Sequence, residues 1–176
     1  MAVTIDATVG GANANSYVTL DEAEAYCKAR LDVAHWVFQS ADKKNRALVE
    51  ATRDLTNLTW AGERASATQA LAWPRQWAAD PDSPGGGHYP TNIIPQRIKD
   101  ATCELALQYV LAGSTETAAP TTEEPVLKRK KIDVLEWEYF EPTTAPARGL
   151  QRNTRVRAFV SPLLASAGFQ TTVLRG

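Results

Sequence analysis

The segment from Pro95 to Gly113 constrains the fold of this chain more than any other part of it. From Ala101 to Ala112, nine of twelve residues are apolar, and on a helix they would surround the cylinder instead of forming one stripe. Pro95 suits the first turn of a helix, where its missing N–H breaks no hydrogen bond, and Gly113 suits the C-terminal cap. A helix that is apolar all round is buried on more than one side. We therefore predict a helix over 95–112 that is central to the core or covered by a partner.

Two further helices follow from capping and spacing. Thr19-Leu20-Asp21-Glu22 matches the capping box, in which the Thr hydroxyl and the Glu carboxylate each accept a backbone N–H of the other residue. It predicts a helix over 20–33. Ser40 is a suitable cap for a second helix over 41–59, where apolar residues recur at spacings of three, four and three: Leu48, Ala51, Leu55 and Leu58.

Glycine and proline interrupt residues 61–94, which we predict to be a long loop held on the helices by Trp73 and Trp77. Residues 114–125 are typical of a linker. The alternation of apolar and charged residues over 126–140 predicts a strand, and its mate must come from a hairpin or from a neighbouring subunit. A short apolar helix is predicted between Val156 and Ala167.

These elements predict a mainly α fold: a small helical bundle with a minor β strand or hairpin and an extended C-terminal arm. We divide the chain into a helical body at 1–113, a linker and β segment at 114–141, and an arm at 142–176.

The composition, 44% apolar and 22% charged over 176 residues, is that of a globular protein. No apolar run reaches the length of a membrane span, and the N-terminus lacks a signal-peptide pattern, so we expect neither membrane insertion nor secretion. Cys27 and Cys103 lie in apolar helical patterns. We interpret them as buried free thiols in a reducing cytoplasm, with a disulfide or a metal site as the alternatives.

The net charge of −1 conceals an asymmetry along the chain. Residues 142–176 carry five arginines and no acid, whereas residues 1–141 carry 14 basic and 20 acidic side chains. A basic tail on an acidic body is typical of an arm that binds an acidic protein surface or nucleic acid. The alternative is a solvated loop with scattered arginines.

The sequence lacks the usual catalytic patterns. His35 lies beside Trp36, Val37 and Phe38, where a packed neutral ring is expected, and His88 follows three glycines, where exposure is expected. There is no HExxH, CxxC, phosphate-binding glycine loop or GxSxG. We therefore expect a protein that is not an enzyme and that needs no cofactor or metal.

A dense basic run, Lys128, Arg129, Lys130 and Lys131, is followed by Trp137, Tyr139 and Phe140. Cations beside aromatic rings are what single-stranded nucleic acid binding uses. The interpretation we favour is that the basic residues are solvated at a strand edge and that the aromatic residues are core.

Three short phrases occur in fixed order: N-S-Y-V-T-L-x-E-A from Asn15, L-A-W-P-R from Leu71, and I-P-Q-R-I-K-x-A from Ile94, the last running on into Glu104-Leu105-Ala106. In this order they resemble the head–tail adaptor (head-completion, connector) proteins of tailed bacteriophages. Some members of that family are labelled DnaT-like single-stranded-DNA-binding proteins. The resemblance is good from Asn15 to Tyr109 and looser beyond.

The resemblance implies a non-enzymatic structural adaptor of the phage neck, made in the host cytoplasm and present in the virion. Such proteins form rings, usually of twelve copies, between the portal protein and the tail terminator or stopper, and they contact channel DNA non-specifically. The alternative is a single-stranded-DNA-binding replication accessory protein. A third interpretation is an enzyme accessory subunit.

Three sets of residues are candidates for contacts. We assign portal or partner binding to Arg148, Arg152, Arg155, Arg157, Phe159, Val160, Leu163 and Leu164. The subunit interface is assigned to Arg75, Leu107, Val110 and Leu111, although for Arg75 a structural anchoring role is favoured. DNA-facing positions are Lys128, Arg129, Lys130 and Lys131.

Overall fold

The computed structural model describes residues 2–31, 33–112 and 153–165, and the backbone of 130–132 and 135–137. Within these residues the helices are α1 (Leu20–Lys28), α2 (Ala34–Val37), α3 (Ala41–Thr56), α4 (Gln96–Ala112) and α5 (Thr154–Val160), and a 3₁₀ turn over Ser161–Leu163 follows α5. Two antiparallel ladders pair β1 (Glu63–Arg64) with β2 (Arg75–Gln76), and β3 (Lys130–Ile132) with β4 (Leu135–Trp137). The predicted mainly α fold with a minor hairpin is confirmed.

The predicted helix starts are confirmed at atomic detail. The Thr19 N–H donates to Glu22 Oε2 at 2.8 Å and the Glu22 N–H donates to Thr19 Oγ1 at 3.2 Å, which completes the capping box of α1. Ser40 Oγ accepts the Lys43 N–H at 3.3 Å at the start of α3. The helix expected over 20–33 instead ends at Lys28, because the chain turns there and places Arg30 against a buried carboxylate of α4.

Helix α4 lies at the centre of the core. It packs against α3 on one side and α5 on another, with α1 and α2 alongside. Ile98 and Leu105 of α4 are buried with Leu48 and Leu55 of α3. Full burial of each such side chain stabilises the fold by about 1.5–3 kcal/mol. No helix in the described ranges is both long and apolar enough to cross a membrane.

The second apolar side of α4 is covered by the chain itself. Val156 and Val160 of α5, and Leu163 after it, are buried in the same core cluster as α4. The prediction that the arm leaves the body is therefore wrong for 153–165. The Ala61 N–H donates to the Leu163 carbonyl at 3.0 Å, which ties this segment to the end of α3. The rest of 142–176 lies outside the described residues.

The long loop 61–94 is anchored by one of its two tryptophans. Trp73 is buried, with its ring edge-on to Trp60 at 5.7 Å and to Tyr89 at 5.9 Å, as predicted. The Trp73–Pro74 peptide bond is cis. Trp77, predicted to pack inward, is instead 67% exposed. It follows β2 directly with φ of 62°, and this backbone conformation carries the indole away from the core.

The mate of the predicted β segment comes from the same segment. β3 and β4 pair in antiparallel register, with Lys130 opposite Trp137 and Ile132 opposite Leu135. Of the two predicted sources of a mate, a hairpin and a neighbouring subunit, the structure shows the hairpin. The rest of 126–140 lies outside the described residues.

Both cysteines are expected to resist alkylation in the folded protein. Cys27 and Cys103 are buried free thiols, as predicted, and burial raises the pKa of Cys27 to about 11 and moves the pKa of Cys103 further above its ordinary value. At pH 8 both remain neutral thiols, whereas the thiolate is the reactive form. Iodoacetamide labelling followed by mass spectrometry should show no adduct at pH 8 in buffer and two adducts in guanidinium chloride. A native adduct formed within minutes would show that one thiol is accessible.

Candidate interaction site

The apolar helix α4 carries one buried carboxylate, that of Glu104, which is 4% exposed. Its Oε1 accepts the Tyr26 hydroxyl at 2.7 Å and the Arg30 guanidinium, and it lies 3.5 Å from Arg155 Nη1. Tyr26 belongs to α1, Arg30 to the turn after it and Arg155 to α5. Glu104 thus ties both neighbouring segments to the central helix.

The Glu104 carboxylate also sets the electrostatics of its partners. Burial, and then the hydrogen bond to Glu104, raise the pKa of Tyr26 well above its ordinary value, so Tyr26 remains a neutral donor. Burial of the Arg30 guanidinium disfavours its charge, but the attraction of Glu104 outweighs burial and raises the pKa of Arg30. Tyr26 therefore stays a neutral donor and Arg30 stays a cation across the physiological range.

A cavity of about 430 Å³ opens beside this cluster. Its walls come from the turn after α1, from α2, from the C-terminal half of α4 and from the start of α5. The lining residues are Arg30, His35, Glu104, Leu107, Gln108, Leu111, Asn153, Thr154 and Arg155.

Only one of the two polar side-chain atoms of Asn153, in this wall, has hydrogen-bond partners among the described residues. Its Oδ1 caps α5 by accepting the N–H groups of Arg155 and Val156, both at 3.0 Å. These two bonds fix which atom is oxygen, because only the oxygen can accept them. Asn153 is 4% exposed, and its Nδ2 has no hydrogen-bond partner in the described part of the chain. The pocket wall thus holds a buried donor without an acceptor.

Large apolar side chains are exposed next to this pocket. Leu111 lines it, Leu31 directly follows Arg30, and Phe38 lies three residues after His35, with Val37 beside it. We call Leu31, Val37, Phe38 and Leu111 the apolar rim. Large exposed apolar side chains on the segments that form a pocket wall are typical of a surface that another molecule covers.

Trp77 forms a second exposed feature, held by the backbone around it. A Cβ on Gly62, whose φ is +72°, would lie 2.3 Å from the Gln76 carbonyl oxygen, so β1 can approach β2 this closely only with glycine there. The Trp77 indole meets the His88 ring edge-on at 6.3 Å. A non-glycine residue at positive φ is rare and often marks a functional position.

Arg75 is a structural clamp, the role favoured from sequence. Its Nε donates to the Ala61 carbonyl at 2.7 Å, Nη1 to the Ala72 carbonyl at 3.2 Å and Nη2 to the Gly62 carbonyl. Burial, and then the neighbouring Arg64, lower the pKa of Arg75. Its donors are thus largely engaged by backbone carbonyls of its own chain, and its assignment to a subunit interface stays a prediction.

The anchors assigned to portal binding are mostly internal. Val160 and Leu163 are buried, and Phe159 and Leu164 are half-buried against the same core. These side chains cover α4 in this structure, and their assignment to portal binding stays a prediction. Arg155 contacts Glu104 and Arg157 is exposed, while Arg148 and Arg152 lie outside the described residues.

The assigned subunit interface stays a prediction. Val110 and Leu107 are buried, Leu107 as a wall of the pocket, whereas Leu111 is exposed. Of the DNA-facing candidates, Lys128 and Arg129 lie outside the described residues, and Lys130 and Lys131 are described only as backbone in β3.

The sequence interpretation missed the pocket. Two signals were present: a lone acid in an apolar helix requires a buried partner, and an asparagine followed by a short amphipathic segment is an N-cap. Neither signal shows that Glu104 and Asn153 meet, since 48 positions separate them in the sequence.

One family model matches the chain over residues 1–176, and its description is "Putative DnaT-like ssDNA binding protein". The chain belongs to this family. No curated protein and no solved structure matches the chain. Membership in the DnaT-like family agrees with the label that accompanied the three sequence phrases.

Proposed function

We propose that this protein is a non-enzymatic structural adaptor of the neck of a tailed phage. In this function it forms a homo-oligomeric ring between the portal and the tail terminator or stopper. The observation that carries the proposal is the apolar rim. Leu111 is exposed in the pocket wall, and Leu31, Val37 and Phe38 are exposed within three residues of the lining residues Arg30 and His35, on a protein whose core is already closed by α5.

The charges of the described residues also favour a protein partner over DNA. Four described surface cations are paired with acids: Lys28 with Glu24, Arg46 with Asp42, Arg97 with Asp82, and Lys99 with Glu22. The buried Lys44 is also paired with Glu24. Nucleic acid binding requires cations that can neutralise phosphates, whereas protein interfaces are built around desolvated apolar groups.

The adaptor proposal is tested by complementing a phage that lacks this gene. Double substitution Leu31→Glu and Phe38→Glu should prevent tail attachment, because each lost hot-spot residue weakens an interface about 30-fold or more. Electron microscopy should then show filled heads without tails.

The matched control is Ile93→Glu, an exposed apolar residue at the other end of α4, about 25 Å away along the helix. It should assemble normally. Normal neck assembly by the rim variant, or absence of the protein from wild-type particles, would count against the proposal.

The second candidate function is single-stranded DNA binding, which the family's description names. Trp77 favours it specifically, because an exposed indole held by rigid backbone can stack on a base. If this function applies, Trp77 and the basic run at 128–131 would act together.

We expect no stoichiometric oligonucleotide binding by the isolated protein at about 0.15 M salt. Fluorescence anisotropy with a labelled oligothymidylate checks this, together with quenching of tryptophan emission. Submicromolar saturation that is lost on Trp77→Ala, and on charge reversal of Lys128, Arg129, Lys130 and Lys131, would establish the second function instead.

A further inference from the structure

We infer that the pocket between α2, α4 and α5 is a docking site for a peptide segment of a partner protein. In that segment a carboxylate side chain lies next to an apolar side chain. That the peptide belongs to a partner protein rests on the proposed function. The chemistry of the peptide is inferred from the pocket alone.

The unpartnered donor in the wall is the first argument. Asn153 Nδ2 is buried, without a partner among the described residues, while Oδ1 of the same amide is fully used by the α5 backbone. A buried donor without an acceptor is costly, and the cost is removed when a ligand supplies an acceptor oxygen.

The second argument is the balance of charge among the lining residues. Arg30 and Arg155 both lie in the wall, and Glu104 is the one acid among the lining side chains. Glu104 Oε1 already accepts hydrogen bonds from the Tyr26 hydroxyl and from both guanidinium groups. Two cations thus share one carboxylate, and a second carboxylate entering the pocket would neutralise the site.

The third argument is the apolar surface beside the donors. Leu107 and Leu111 line the cavity, and the other residues of the apolar rim are exposed on the segments that carry the lining residues Arg30 and His35. A cavity of about 430 Å³ exceeds what one carboxylate group fills. An acidic side chain flanked by an apolar one satisfies both parts of the site, whereas a phosphodiester backbone would leave the rim exposed.

The test uses the full chain, labelled with ¹⁵N, and two blocked peptides, acetyl-Leu-Glu-Leu-amide and acetyl-Leu-Gln-Leu-amide. Titration should shift the side-chain amide resonances of Asn153 with the glutamate peptide. The glutamine peptide should bind at least about tenfold more weakly, because it lacks the charge that the two arginines attract.

The matched variant is Asn153→Asp, which keeps an oxygen to cap α5 but replaces the Nδ2 donor with a second acceptor. It should retain the melting temperature of the parent chain and lose at least about tenfold in affinity for the glutamate peptide, followed through the backbone amides of Leu107 and Leu111. Leu111→Ser should weaken both peptides equally.

Equal binding of the two peptides, no shift with either one, or unchanged affinity in Asn153→Asp would overturn the inference. It is also overturned if oligothymidylate shifts the Asn153 amide and displaces the glutamate peptide. The result is separable from the adaptor test, since peptide binding is measured on the isolated chain and tail attachment depends on the rim variants in the phage.

Discussion

Replacing Glu104 with alanine is expected to lower the free energy of unfolding by about 3 kcal/mol. The substitution removes the carboxylate that accepts hydrogen bonds from Tyr26 and Arg30, and it leaves both donors without this acceptor. We place the loss of free energy at the lower end of the range for breaking a buried ion pair, because the Arg30 side chain is 25% exposed and can form hydrogen bonds with water. In a chain of this size the melting temperature should fall by about 6–12 °C, measured by thermal circular dichroism.

Two variants control the Glu104 experiment. Asp82→Ala removes the exposed ion pair with Arg97 and should cost less than about 1 kcal/mol. Glu104→Gln keeps the shape and one acceptor oxygen, so it should fall between the parent and Glu104→Ala. If Glu104→Ala melted within a degree of the parent chain, the cluster would contribute nothing to joining α1 and α5 to α4.

Replacing Arg75 with alanine is expected to destabilise the fold by about 3 kcal/mol. The guanidinium is half-buried and donates to the carbonyls of Ala61, Gly62 and Ala72, which would lose their partner together. Arg75→Lys keeps the charge but cannot reproduce the planar fork, so it should recover less than half of the loss. Chemical denaturation monitored by tryptophan fluorescence measures both.

The neighbouring arginine supplies the control for Arg75. Arg64 lies opposite Arg75 in the β1–β2 ladder, is exposed, and disfavours the charge of Arg75. Arg64→Ala should therefore be neutral or slightly stabilising. A large loss from Arg64→Ala, or none from Arg75→Ala, would contradict the view that the carbonyl clamp holds the loop.

The parts of the fold that the sequence predicted are those set by local rules. The capping box at Thr19 and the Ser40 cap act within one helical turn, and both were confirmed where predicted. The stripe predicted for the second helix is buried from Leu48 to Leu55, but α3 ends at Thr56, before Leu58 and before the predicted end at 59. The all-round apolarity of α4 also predicted that two of its sides are covered. The sequence did not indicate which segments cover these two sides.

The errors come from contacts between residues that are distant in sequence. Short apolar α5 is equally suited to a partner's groove and to the chain's own core, and only the tertiary structure decides for the core. The direction of the Trp77 side chain depends on how closely Gly62 allows β1 to approach β2. The spacing of apolar residues in the sequence does not predict this approach. The candidate pocket needs Arg30, Glu104 and Asn153 together, from three segments whose meeting depends on the return of α5.

The return of α5 to the helical body has a consequence for how the length of the chain can vary. Leu111, one residue from the end of α4, and Asn153, just before α5, line the same pocket, so the described chain positions on either side of residues 113–152 meet at one place. Closing a loop of forty residues costs only about 1.2 kcal/mol more than closing one of ten. We therefore expect insertions or deletions between these two positions to change the stability of the helical body little.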